Sequence, residues 1–296
     1  LYGPTGFFVA DRGGPAAHFR TSAHASPLFA RAVCHLVGEE TEVVDVGAGR
    51  GELVRNIREY RKDLKITAVD LADRPDDLPD DIDWRHDIPT GINGLLLATE
   101  WLDNVPVDVA ELADDGVIRL VMVADDGSEE LGPAVGGPDG NDRDAEWLDR
   151  WWPLDEPGRR AEIGWPRDDA WASAVAAVER GTAVAIDYGH IVDERPAGGT
   201  LTGYRHGRQV RPVPDGSCDL TAHVAVDALL AATPTATLTR QRDALLGLGL
   251  SGRRPDLTVA STDPVGYLRA LEEASQVAEL VDAGGLGGQY WVCVSI

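Results

Sequence analysis

The stretch Val43-Val44-Asp45-Val46-Gly47-Ala48-Gly49-Arg50-Gly51-Glu52-Leu53 decides the fold. Three β-prone apolar residues flank an acid, and glycines then recur at every second position. The pattern predicts a buried strand, a glycine turn and a helix from Glu52 to Tyr60. Glycine has no Cβ and tolerates positive φ, so a ligand can lie against bare backbone there. The dinucleotide fingerprint, Gly-x-Gly-x-x-Gly, cradles a pyrophosphate on the helix N-terminus. Here the spacing is Gly-x-Gly-x-Gly and an acid precedes the turn, which repels phosphate and attracts a cation. S-adenosylmethionine (SAM), with an ammonium, a sulfonium and no phosphate, satisfies both conditions. A purely structural glycine turn is the alternative.

Two further strand ends lie at the right distances. Lys65-Ile66-Thr67-Ala68-Val69-Asp70 reads as a second strand ending in an acid. A carboxylate roughly 20 residues after the glycines is placed to bridge two ribose hydroxyls. Ile82-Asp83-Trp84-Arg85-His86-Asp87-Ile88 is a third short segment, and Asp87 is an acceptor for an adenine amino group. Singly, each acid reads as a solvated turn residue. Three at successive strand ends match the rule that open α/β sheets bind ligands outside the carboxyl ends of their strands.

At 296 residues the chain can bury a large core. Its net charge of −23 argues against nucleic acid and against anionic membrane as partners. Cys34, Cys218 and Cys293 are far apart, odd in number and without zinc spacing, which predicts free thiols, a reducing compartment and no metal site. No apolar run is long enough to span a membrane and no signal peptide is visible, so the expected location is cytoplasmic.

Residues 1–30 read as loop and turn, except that Ser26-Pro27 starts a helix running through Val37. Residues 42–103 alternate strand with helix or turn, the signature of a parallel sheet. Leu95–Glu100 is a continuous apolar run ending in an acid, as in a strand covered on both faces. Val107–Leu112 and Val117–Val123 flank Asp115-Gly116, a predicted hairpin. Trp147, Trp151, Trp152, Trp165 and Trp171 then make either a small local core or an aromatic wall beside an active site. Asp168–Arg180 reads as a helix capped by Gly181, followed by a strand Thr182–Asp187. Asp219-Leu220-Thr221 reads as the cap of a helix His223–Ala232. Thr235–Thr239 and Tyr290–Ile296 read as paired edge strands, with a helix Pro264–Ala283 between them. The expected division is 1–106 for the N-terminal loop region and SAM-binding half, 107–166 for an insertion, and 167–296 for the second half with a 190–218 excursion.

With these pieces in order, the chain resembles the MidA-like class I SAM-dependent methyltransferases. That group includes a mitochondrial complex I assembly factor that methylates an arginine of a complex I subunit. The resemblance rests on Tyr2-Gly3-Pro4-x-Gly6-Phe7-Phe8, Thr21-Ser22-x-x-x-Ser26-Pro27-Leu28-Phe29 and the turn at 45–51. It continues in Glu100-Trp101-Leu102-Asp103-x-x-Pro106, Ile186-Asp187-Tyr188-Gly189 and Gly199-Thr200-Leu201-x-x-Tyr204-Arg205, and closes with Asp219-Leu220-Thr221-Ala222-His223-Val224. It implies an α/β, Rossmann-like seven-stranded sheet with an accessory insertion region. It implies that Asp45, Gly47, Gly49 and Gly51 hold the methionine end of SAM, that Asp70 holds the ribose, and that the Thr21-Ser22 loop closes over the cofactor. Glu100 and Asp103 would face the acceptor. The chain departs from the group at Ala23-His24-Ala25, where Pro-Glu-Ile is usual, and at Thr99, where asparagine is usual.

Methyl transfer from a sulfonium is an in-line displacement, in which alignment alone is worth roughly 7–11 kcal/mol. If the acceptor is a guanidinium, carboxylates can bind it bidentately and aim one nitrogen. Glu100 and Asp103 form such a clamp in one reading; in the other, Glu100 binds the cofactor and Asp103 caps a helix. His223 is either a general base or a structural hydrogen-bonding group. Asp187 is expected to position the site. The predicted activity is therefore SAM-dependent methylation of a protein or peptide side chain, with S-adenosylhomocysteine (SAH) as product. A SAM-binding assembly factor and a small-molecule methyltransferase are the competing readings. The 107–166 and 190–218 insertions are candidate surfaces for a homodimer.

Overall fold

The computed structural model describes residues 21–137 and 140–296. The motif at residues 2–8 lies outside them. Among the described residues the chain forms two compact units that interleave along the sequence. One comprises 21–97, 178–186 and 237–296; the other comprises 98–137, 140–177 and 187–236.

The first unit carries a seven-stranded sheet. Its first four strands are β1 (Glu42–Val46), β2 (Lys65–Val69), β3 (Ile82–Arg85) and β4 (Ile92–Thr99). The full order is Thr237–Arg240, Tyr290–Ser295, Val178–Asp187, β4, β1, β2, β3. β1 pairs parallel with β2, and β2 with β3. The edge pair Thr237–Arg240 and Tyr290–Ser295 is antiparallel, as expected, so the sheet is mixed. β1, β2 and β4 are buried almost throughout, because both sheet faces are covered. The core joins Phe29, Ile57, Ile66, Leu95, Leu97, Ile186, Leu280 and Trp291, with Phe29 edge-on to Trp291.

The helix Glu52–Tyr60 forms as read. Ser26 caps Pro27–Val33, with a 3₁₀ turn Cys34–Leu36 completing the predicted element. A short helix, Ser22–Ala25, precedes it where loop was expected, because Thr21 supplies an N-cap.

Gly181 corrects one reading. The helix spans Trp165–Ala176, and Gly181 lies inside the strand Val178–Asp187 rather than capping the helix. Its φ is +127°, and a Cβ there would stand 2.0 Å from the Gly94 carbonyl oxygen. Gly94 in turn approaches Glu42 equally closely. This glycine belongs to a row of close backbone contacts across three neighbouring strands.

The second unit holds the insertion sheet, ordered Glu129–Ala134, Ile118–Val123, Val109–Leu112, Arg160–Glu162. The predicted hairpin forms, with Gly116 at φ +79°. Trp147 and Trp152 join Ala110, Leu148, Ala161 and Ile163 in a local core, which is the plainer of the two readings of the tryptophan segment. The indole N–H groups of Trp147 and Trp165 donate to Asp168 and Asp144 at 2.7 Å. A second correction concerns Asp219–Thr221. These residues form a strand paired with Thr202–Arg205, and the following helix starts only at Val226, so Asp219 caps nothing.

No helix among the described residues is long and apolar enough to cross a membrane, and no group of three or more metal-ligating side chains occurs among them.

Candidate active site

The glycine turn lies wholly in the first unit. Gly47, Gly49 and Gly51 all have positive φ, at 75°, 59° and 82°. Side chains rarely adopt this conformation, which explains the alternating glycines. The backbone N–H groups of Gly47 and Ala48 donate to the Val69 carbonyl at 2.9 and 3.1 Å, fixing the turn to the end of β2. Asp70 fixes it again. One carboxylate oxygen accepts from Gly49 N–H at 2.8 Å and the other from Ala72 N–H at 2.9 Å. Burial raises the Asp70 pKa against the pull of these N–H groups. A carboxylate has about four acceptor positions, so lone pairs remain for ribose hydroxyls.

Asp45 is 2% exposed, and its carboxylate makes no hydrogen bond or ion pair among the described residues. Burial, then the charges of Asp70 and Glu52, push its pKa up to about 8. A buried carboxylate lacking a partner between two other acids is costly unless it is protonated or meets a cation. The residues present therefore fit a ligand bearing an ammonium.

Glu52, at the first helical position after the turn, was missed in the sequence. One carboxylate oxygen accepts from Arg50 N–H at 3.2 Å, and the other lies 3.2 Å from His24 Nε2. Burial opposes its ionisation, but His24 and the backbone N–H groups hold its pKa below the ordinary value. The protein's own anion thus sits near the helix N-terminus, where nucleotide folds place phosphate. Thr21 and Ser22 divide their work. Thr21 Oγ1 caps the short helix and contacts His24 Nδ1 at 2.6 Å. Ser22 is fully buried, bonded to Gln241 and Gln289. Asp87 is exposed just past the end of β3.

The other predicted residues lie in the second unit. Glu100 directly follows β4, is 9% exposed and has φ +52°. A non-glycine residue in that region stores strain of about 1–3 kcal/mol, and such strain concentrates at functional sites. Leu102–Asn104 forms a 3₁₀ turn beside it. Asp187 holds that turn: one oxygen accepts the N–H groups of Leu102 and Asp103 at 3.0 and 3.1 Å, the other accepts Tyr188 N–H at 2.9 Å. Asp103 is equally occupied, accepting from the Asn104 amide and the Thr221 hydroxyl, each at 2.8 Å. Burial raises the pKa of both, most of all Asp187, to which the Asp103 charge adds.

Arg167, which carried no sequence signal, organises this region. It is 3% exposed and donates to the carbonyls of Asp103, Val105, Ala222 and His223 at 2.7–3.1 Å. Glu162, also buried, accepts from the N–H groups of Thr200 and Leu201 and from the Thr200 hydroxyl. These contacts give the Gly-Thr-Leu and Asp-Leu-Thr-Ala-His pieces a physical meaning: both feed one buried polar network. His223, exposed as a residue, donates its backbone N–H to Thr200 Oγ1 and lays its ring against Tyr188, centroids 6.0 Å apart. The surrounding protein desolvates it and lowers its pKa, which favours the neutral ring.

Fold and turn together define a class I, Rossmann-like methyltransferase. The chain belongs to the family described as "Putative S-adenosyl-L-methionine-dependent methyltransferase", whose profile matches residues 61–242. It is thus a methyltransferase with SAM as its cofactor. A COG1565 superfamily member from Burkholderia thailandensis, bound to S-adenosyl-homocysteine, shares the fold with a TM-score of 0.76. The two are 23% identical over 95% of this chain and 79% of that one. A second Burkholderia thailandensis structure, of an uncharacterized COG1565 superfamily protein, gives 0.77 at 24% identity, over 99% of this chain and 83% of that one. No curated protein matches the chain.

Proposed function

We propose that the enzyme methylates a cationic acceptor, the guanidinium of an arginine in a protein or peptide. The observation that carries this is Asp219. It is fully buried, neither carboxylate oxygen has a hydrogen-bond partner among the described residues, and burial followed by the Asp103 charge pushes its pKa up to about 7. Asp219 and Thr221 share a face of their strand, and Thr221 bonds Asp103. Glu100, Asp103, Asp187 and Asp219 are all buried, and the Arg167 donors go to carbonyl oxygens. A region with that excess of acid suits a ligand that brings positive charge.

In this reading Asp45, Gly47, Gly49, Gly51 and Asp70 hold SAM, with Thr21 and Asp87 at its margins, and Ser22 anchors the N-terminal segment from beneath. SAM supplies the electrophilic methyl group. Glu100 and Asp219 take the guanidinium. Asp103 and Asp187 position the Leu102–Asn104 turn that follows Glu100. Methylation of a guanidinium nitrogen releases a proton, which the neutral His223 accepts. The resemblance to MidA-like enzymes supports the same acceptor.

Labelled methyl transfer into a lysate, followed by acid hydrolysis, tests the proposal. Label is expected in methylarginine. Label confined to small molecules, or SAH binding with no transfer at all, would sink it and favour the two competing readings in turn. Asp219→Asn and Glu100→Gln are each expected to lower turnover by about 10–100-fold, the scale of one lost charge-assisted hydrogen bond, while SAH affinity stays unchanged.

A further inference from the structure

We infer that His24 is a positioning residue for the cofactor: with Thr21 and Glu52 it latches the Thr21–Ala25 segment onto the glycine turn. The inference rests on the reading that this turn holds SAM. Thr21 Oγ1 meets His24 Nδ1 at 2.6 Å, and His24 Nε2 meets Glu52 Oε1 at 3.2 Å. The second contact is a close approach of the ring nitrogen to the carboxylate rather than an aligned hydrogen bond. The His24 and Glu52 side chains are 24% and 28% exposed, so solvent screens them only in part.

The segment has two anchors of different kinds. Ser22 is pinned by neutral amides, Gln241 and Gln289, and Gln241 also accepts from the Trp291 indole at 3.2 Å. That anchor fixes the helix to the sheet edge. His24 is the anchor at the turn. It holds one Glu52 oxygen while Arg50 N–H holds the other, so the carboxylate stays folded over the glycines. A Cβ at Gly49 would lie 3.6 Å from that carboxylate. Either neutral or protonated His24 can keep both contacts. In the neutral ring Thr21 donates to Nδ1 and Nε2–H faces Glu52; protonation turns Thr21 into the acceptor. An acid at position 24 would instead face Glu52 with like charge. The usual residue of the resembled group is thus replaced by one that completes a different local charge arrangement.

His24→Ala, Glu52→Gln and the double variant test this by calorimetric SAH titration, SAM kinetics and hydrogen exchange. Each single variant is expected to weaken SAH binding and raise KM for SAM by about five- to tenfold, with kcat retained, as for a half-buried charge-assisted contact. The double variant should be no worse than either single one. Exchange over 21–25 should quicken in His24→Ala. Additive losses, or unchanged KM and unchanged exchange, would overturn the latch. If the wild type bound no SAH, the cofactor reading would fail, while exchange over 21–25 would still decide the latch.

Discussion

Arg167→Met is expected to destabilise the protein by about 3–5 kcal/mol, the usual cost of removing one partner from a buried charged network. Methionine matches the length of the arginine stem but donates nothing. Four carbonyl oxygens would lose their donor, those of Asp103 and Ala222 while buried and those of Val105 and His223 while partly buried. Each unsatisfied group costs about 1–3 kcal/mol before relaxation. Asp103 and Asp187 would also lose the positive charge nearest to them. The melting temperature should drop by on the order of 10 °C. Arg167→Lys should fall in between, because one ammonium cannot reach four carbonyls spread around a planar fork. A melting temperature unchanged in Arg167→Met would show that the network is not what holds the Leu102–Asn104 turn.

Asp45→Asn should lower SAH affinity by about 10–100-fold and remove a pH dependence. The folded protein holds the Asp45 proton more tightly than the unfolded chain does, its pKa being raised from 3.8 to about 8. Stability from this group is therefore fully present below about pH 4 and lost as pH rises through about 8. Ligand-free wild type should melt at a lower temperature at pH 8 than at pH 6 on this account, and Asp45→Asn should flatten that part of the slope. Binding runs the other way. An ammonium needs the ionised carboxylate, so SAH affinity should rise between pH 6 and 8, by up to about tenfold per unit, with a proton released on binding. Titrations in two buffers of different ionisation heat measure that proton. No release by the wild type would remove Asp45 from the ammonium site.

The first unit was largely legible because its signals are local. Strand patterning, glycines that need positive φ, and acids at strand ends are each written into a few consecutive residues, as at Val43–Gly51 and Lys65–Asp70. The failures share a cause. Gly181 has the sequence context of a helix cap, but its role is set by how closely Gly94 approaches it from another strand. Asp219 looks like a cap because Asp-Leu-Thr commonly is one, yet strand pairing with Thr202–Arg205 overrides that preference. Arg167 and Glu162 lie far in sequence from the Asp103 and Thr200 groups they serve. Such partners are chosen by tertiary contact, and nothing in their own neighbourhood announces them. Glu52 is intermediate: its place after the turn is visible, but its pairing with His24 needs the short helix that Thr21 starts.

The central claim is that the Gly47–Gly51 turn and Asp70 form the SAM site. Calorimetric titration of SAH into the wild type and into Asp70→Ala tests it most directly. The account predicts micromolar binding by the wild type and a loss of about a hundredfold or more in the variant. Asp70→Ala removes both the ribose acceptor and the carboxylate that fixes Gly49 N–H. Equal affinity in the two proteins, or no binding by folded wild type, would contradict it.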